Sequence, residues 1–160
     1  MKVEKIESLF YIFENTEALP KDVGGLMNKA LEARQNAYAP YSNFKVGAAL
    51  LLDSGEVITG SNQENASYPS GLCAERTAIY YAGAKYPGSK ILKIAITAGA
   101  SNGNTSKPIP PCGACRQAIA EYEIKQKTPI EIYFMGTSGE VIKSDSLKNL
   151  LPLLFDNSLL

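Results

Sequence analysis

Apolar residues along the chain change period several times, and each change marks an element. Ile6, Leu9, Phe10 and Phe13 recur at helical spacing, and Pro20 punctuates before a second helical stretch from about Lys21 to Tyr38. Residues 1–20 therefore read as a helical N-terminal extension, and residues 21–160 as the domain proper. Pro40 breaks the helix. Val46 to Leu52 then reads as a buried strand, turning at Asp53-Ser54-Gly55 into a second strand, Glu56 to Ser61. Helix is expected from Cys73 to Ala84, strand from Ile91 to Thr97, helix from Cys112 to Glu123 and strand from Ile130 to Met135. Ser138-Gly139 turns into a last short strand at Glu140 to Lys143, and Ser146 to Phe155 reads as an apolar helix interrupted at Pro152. Strands alternating with helices argue for an α/β layered sheet with parallel members, and the opening hairpin makes the five-stranded sheet mixed.

Composition narrows the class. At 160 residues and 45% hydrophobic content, one domain can bury its own core. Sixteen basic and sixteen acidic residues balance, with no Lys/Arg run. That lacks the electrostatic footprint of a nucleic-acid binder and points to a small free substrate. No apolar run approaches the roughly 18 residues a membrane helix needs, and the N-terminus carries no signal-peptide pattern. A cytoplasmic location and no membrane partner are expected.

The chemistry is concentrated in the cysteines. The chain has three of them and no histidine, and all three sit in Cys73-Ala74-Glu75-Arg76 and Pro111-Cys112-Gly113-Ala114-Cys115-Arg116. Structural zinc is closed by four protein ligands, whereas catalytic zinc keeps a fourth position for water. A three-thiolate set of Cys73, Cys112 and Cys115 therefore argues for one catalytic Zn2+ per chain. Glu75, two residues after the first ligand, with a downstream P-C-x-x-C, is the signature of zinc deaminases acting on nucleobases, here with cysteine in the histidine position. A C-x-x-C alone also occurs in redox dithiols and structural zinc knuckles, but neither explains Cys73 or Glu75. An odd cysteine count argues against a disulfide framework.

Spacing supports one site. Cys112 and Cys115 are three apart and share a helix face, and Pro111 places Cys112 near a helix N-terminus, where the macrodipole favours a thiolate. Residues two apart on a helix diverge by about 200°, so Cys73 and Glu75 share a site only if Cys73 lies at the helix boundary. Three thiolates on a dication leave a net negative centre, which weakens it as a Lewis acid. Arg76, donating hydrogen bonds to the thiolates, is the candidate that draws charge off them; the bland alternative is a solvent-facing helix residue.

The segments AYAPYSNFKVGAALL, GSNQENASYPSGLCAERTAI, PPCGACRQ and SLKNLLPLLF resemble, in order and spacing, those of the homotetrameric cytidine deaminase family of pyrimidine salvage, over about residues 26 to 155. Related zinc deaminases carry the zinc signature without the N-x-E-N-A-S-Y segment. The chain departs from the family in its N-terminal extension and in Ser61, where many members have cysteine. The resemblance implies a three-layer α/β/α cytidine deaminase-like fold, a catalytic domain at 21–160, and hydrolysis of cytidine and 2′-deoxycytidine to uridine and 2′-deoxyuridine plus ammonia. Water activated at the zinc attacks C4, and Glu75 carries protons from that water to ring N3 and to the leaving amine.

The resemblance also assigns substrate contacts. Asn62 and Glu64 match the positions that hold the ribose hydroxyls; standing alone they would read as a polar loop after a strand. Phe44 matches the aromatic that packs on the pyrimidine ring, although an aromatic just before a strand is as readily ordinary core. The main chain at Cys73 or Ala74 is expected to hold the exocyclic amine. Tyr68 matches a residue near site and subunit interface, and Phe155 a C-terminal aromatic that reaches a neighbouring subunit's pocket; both have a strong core-packing alternative. A homotetramer with sites completed across interfaces follows from the resemblance.

Overall fold

The computed structural model describes residues 1–156. Its frame is a sheet into which α1 (Lys21–Gln35) packs from one side and α2 (Ala74–Lys85) and α3 (Gly113–Gln126) from the other. Among the described residues six strands form it: β1 (Tyr11–Phe13), β2 (Phe44–Leu52), β3 (Val57–Ser61), β4 (Ile91–Ala100), β5 (Glu131–Met135) and β6 (Val141–Ser144), in the spatial order β1-β6-β5-β4-β2-β3. The β4–β5 pair is parallel and the other neighbours run antiparallel. This is the mixed sheet and three-layer α/β/α order expected, with one strand more than the pattern predicts.

Alternation along the strands sorts the two cores, because successive side chains in a strand point to opposite faces. Ala48, Leu50 and Leu52 of β2, Ile94 and Ile96 of β4, and Ile132 and Phe134 of β5 face α2 and α3. Ala49, Ala95, Tyr133 and Met135 face α1, where Val23, Leu26, Met27 and Ala30 meet them. Full burial of each Leu or Ile is worth about 1.5–3 kcal/mol relative to exposure, so both faces of the central strands are strongly committed.

Two glycines let the helices seat closely. A Cβ at Gly47 would run into the carbonyl of Ala30 under α1, and one at Gly60 would come within 2.5 Å of the Ala74 carbonyl and 2.7 Å of the Ala78 nitrogen. The first turn of α2 therefore rests directly on β3. That contact fixes the height of Cys73 and Glu75 above the sheet.

Two expectations are corrected. Residues 1–10 carry no regular secondary structure and Tyr11–Phe13 is a strand, pairing Ile12 with Ile142, where the apolar spacing predicts helix. Short isolated helices are marginal in water, and the edge of β6 offers unpaired main-chain groups that a passing segment satisfies. The C-terminal stretch forms only a 3₁₀ turn, Leu147–Asn149, capped by Ser146 Oγ accepting from Lys148 N at 3.2 Å. Pro152 cannot donate to a continuing helix, and Leu153 adopts φ 58°.

Candidate metal centre and active site

Cys73 and Cys112 occupy equivalent places in two different helices. Each is the residue just before the first turn, Cys73 at φ −72°, ψ 156° before α2 and Cys112 at φ −67°, ψ 167° before α3. The extended backbone of a capping residue is what lets Cys73 and Glu75 converge, since within a regular helix they would diverge. Cys115 lies one turn into α3 and is buried. The three Sγ atoms lie within 4.8 Å of one another, with Cys73 and Cys112 at 3.9 Å. A tetrahedral zinc with ligand bonds of about 2.3 Å separates its sulfurs by about 3.8 Å, so the donor set fits the ion.

Charge is managed by neighbours. The Cys73 thiol is held well below its ordinary range by hydrogen bonding from Cys115, with further help from Arg76 and Cys112 against the cost of burial. Cys115 is pushed up by the same bond and by burial. Arg76 Nη2 donates to Cys73 Sγ at 3.6 Å, and its Nε has no partner among the described residues. Glu75 is 3% exposed. Burial, and then the Cys73 charge, raises its carboxyl to about 7. Its Oε2 is buried without a hydrogen-bond partner among the described residues, an arrangement that is costly unless a ligand or water supplies the missing bond.

Cys73, Cys112, Glu75 and Arg76 border a cavity of about 720 Å3, and Cys115 lies behind them. Phe44, Asn62, Glu64, Tyr68, Cys73, Glu75, Arg76 and Cys112 all line it, so the structure brings most of the expected site together. Phe44 opens β2 and is half-buried, and with Val46, Leu72 and Ile96 it makes the apolar wall. Tyr68 is 75% exposed at the mouth and tilts against Tyr41 at 5.9 Å between ring centroids. Ala74, the first residue of α2, is fully buried in the core and is not among the residues that line the cavity. The Cys73 carbonyl is already used by Thr77, which donates from its nitrogen at 3.0 Å and from Oγ1 at 3.1 Å.

Asn62 and Glu64 have more local employment than their sequence context suggests. Asn62 Oδ1 accepts from Val46 N at 2.8 Å and Nδ2 donates to Phe44 O at 3.0 Å, so this side chain steadies the start of β2. Glu64 accepts from Tyr41 N at 2.9 Å, Ser42 N at 3.2 Å and the Ser42 hydroxyl. Those bonds, the Ser42 side chain foremost, hold its carboxyl below the usual range.

Phe155 lies outside this cavity and is 61% exposed. Its segment is tied back to α3: Gln117 Nε2 donates to Phe155 O at 2.9 Å, and Arg116 donates to Pro111 O at 2.9 Å and Leu150 O at 2.7 Å. Buried Glu123 completes this tie by accepting from Ile130 N at 2.9 Å, Leu147 N at 3.0 Å and Ser146 Oγ at 2.6 Å. Sequence reasoning missed Tyr41, Ser42 and Arg116. The break at Pro40 marked the first two as a turn, but no periodicity says which turn residues face a cavity.

Known proteins agree with this geometry. Residues 21–129 match the family profile described as "Cytidine and deoxycytidylate deaminase zinc-binding region". A cytidine deaminase of Halalkalibacterium halodurans is 43% identical over 131 residues, 81% of this chain and 91% of that one. A probable cytidine deaminase of Dictyostelium discoideum is 38% identical over 141 residues, 88% and 86% of the two chains. The crystal structure of cytidine deaminase from Burkholderia pseudomallei superposes with a TM-score of 0.71 at 44% identity, covering 82% of this chain and 97% of that one. With the profile spanning both cysteine motifs, the three helices and strands β2 to β4, the chain belongs to the cytidine and deoxycytidylate deaminase family.

Proposed function

We propose that this protein is a zinc-dependent hydrolase that deaminates cytidine and 2′-deoxycytidine to uridine and 2′-deoxyuridine, releasing ammonia in pyrimidine salvage. The observation that carries the reading is Glu75: a carboxylate 3% exposed, with an oxygen unpartnered among the described residues, beside three converging thiols of which two, Cys73 and Cys112, line the same cavity. Cys73, Cys112 and Cys115 hold the zinc. When bound, it supplies the Lewis acidity that makes water nucleophilic near neutral pH.

The chain's own residues supply the rest. Glu75 takes a proton from the attacking water and delivers one to ring N3 as C4 is attacked. It then takes the second water proton from the new C4 hydroxyl and gives it to the amine as the C4–N bond breaks, so one group serves as base and acid. Phe44 packs on the pyrimidine, Glu64 and Asn62 meet the ribose hydroxyls, and the main chain at Cys73 or Ala74 meets the exocyclic amine. The closeness of Glu64 to the ribose disfavours a phosphodiester there, because two anions would meet. Arg76 tempers the thiolates.

The catalytic domain is residues 21–160, of which 157–160 lie outside the described residues, and residues 1–20 stand apart from the chemistry. We assign a homotetramer with sites completed across interfaces, which the exposure of Tyr68 and Phe155 supports. A cytoplasmic location is proposed as well; no helix among the described residues is long and apolar enough to cross a membrane.

The test is metal analysis of the purified protein alongside ammonia release from cytidine. About one zinc per chain is expected, with substitution of any of the three cysteines by alanine removing metal and activity together. Zinc without ammonia release, or activity without zinc, would overturn the reading.

A further inference from the structure

Ser42 sits between the two walls of the nucleoside cavity. Its hydroxyl donates to Glu64 Oε1, and its Oγ accepts from Phe44 N at 3.0 Å. Its main-chain nitrogen also donates to Glu64 Oε2 at 3.2 Å, beside Tyr41 N at 2.9 Å. A carboxylate offers about four acceptor positions. Three are filled from the Tyr41-Ser42 turn, and the position left over belongs to Oε1, the oxygen that Ser42 Oγ holds. The next residue, Asn43, takes the left-handed φ of 52°, a conformation that Asn tolerates better than most. That turn brings Ser42 back against its own strand.

Resting on the deaminase reading above, we propose that Ser42 is a positioning residue for ribose recognition. Its hydroxyl fixes the rotamer of Glu64 relative to Phe44, so that the free lone pair of Oε1 and the aromatic wall meet sugar and base in one register. Glu64 is solvent-accessible at the cavity mouth and has no other side chain donating to it among the described residues. Without the hydroxyl only the two main-chain bonds to Oε2 remain, Oε1 loses its tether, and the ribose contact weakens while the zinc site is undisturbed. The loop itself does not depend on Ser42 Oγ: Tyr38 N donates to Asn62 O at 3.0 Å, Glu64 N to Tyr38 O at 2.9 Å and Ser101 N to Asn43 O at 2.8 Å. A Ser42→Ala variant therefore folds.

The experiment compares wild type, Ser42→Ala, Glu64→Gln and the double variant. Cytidine is the substrate, and 2′,3′-dideoxycytidine, which lacks both hydroxyls, is the competing ligand. Ser42→Ala is expected to raise KM for cytidine roughly three- to tenfold, the worth of one ordinary hydrogen bond. kcat stays within about twofold on the same scale; zinc content and the inhibition constant of the dideoxynucleoside do not change. In the Glu64→Gln background the serine substitution adds nothing. Equal losses for both nucleosides, or additive losses in the double variant, would assign Ser42 to the loop alone and overturn the proposal. Wild-type protein that releases no ammonia from cytidine would overturn the deaminase reading and this proposal together.

Discussion

The guanidinium of Arg76 reaches back along the first turn of α2 to place Nη2 3.6 Å from Cys73 Sγ. The side chain is half-buried, and its Nε is unpartnered among the described residues. A cation placed there withdraws charge from the thiolate and so keeps a three-thiolate zinc acidic. Arg76→Gln should retain most of the zinc yet lower kcat by about 10- to 100-fold, the usual cost of losing a ligand's partner. Metal analysis paired with ammonia release checks this, and unaltered turnover would return Arg76 to an ordinary helix residue.

Glu75→Gln should keep zinc at wild-type stoichiometry and keep the melting temperature, because an amide fills the same buried space. Turnover should fall by at least about 10² to 10⁴-fold, since the amide cannot accept the water proton. Near-normal turnover would remove Glu75 from the mechanism.

Gly60 and Gly47 make a matched pair. Alanine at either forces a helix off the sheet, Gly60 through the Ala74 carbonyl of α2 and Gly47 through the Ala30 carbonyl of α1. Both substitutions should destabilise by about 1–3 kcal/mol, the usual cost of overpacking. Gly60→Ala alone should weaken zinc binding, because the turn it displaces carries Cys73. Competition with a chelator, read beside urea unfolding, separates the two effects.

Glu131 sets an acid limit on stability. Burial opposes its ionisation, but Lys143 Nζ at 2.7 Å and Lys93 Nζ at 3.6 Å outweigh it and hold the carboxyl below its usual range. A folded-state pKa below the unfolded value means the contribution is complete above the unfolded pKa of about 4.3. It is lost as pH falls through the lower folded value. Urea midpoints should therefore decline below about pH 5, and Glu131→Gln should flatten that decline while lowering stability at neutral pH. A variant with the wild-type acid slope would contradict the assignment.

Phe155, 61% exposed and outside its own chain's cavity, should matter only in the assembly. Phe155→Ala is expected to raise KM with zinc content unchanged, and wild-type activity and melting temperature should fall on dilution as subunits separate. A monomer by light scattering with full activity would rule this arrangement out.

How much of this was legible in sequence depends on what kind of signal each part leaves. The central strands and α2 and α3 write their burial into the apolar pattern, and the metal ligands stand out because cysteine occurs nowhere else in the chain. Strand β1 was not legible: Tyr11 to Phe13 has no strand alternation long enough to read, and its conformation comes from the edge of β6 some 130 residues later in the chain. The C-terminal turn failed for a related reason, since Glu123 and Arg116 tie it to α3 through main-chain carbonyls and amides that no residue pattern announces. Ser42 is the clearest omission. A serine in a turn is commonplace, and its hydrogen bonds across to Glu64 and Phe44 appear only in three dimensions.

Neither Cys73 nor Cys112, each at a helix N-cap, caps its helix by accepting a hydrogen bond from a main-chain amide of the first turn. Ser or Asp at such positions typically gains about 0.5–2 kcal/mol over a non-capping residue. Selection for heat resistance in the absence of zinc, which otherwise stabilises the folded state, would therefore favour Cys73→Ser or Cys112→Asp, strengthening the fold while erasing its chemistry. The cysteines persist only where turnover itself is under selection, so a lineage released from that demand should lose its catalytic centre at the two helix caps first.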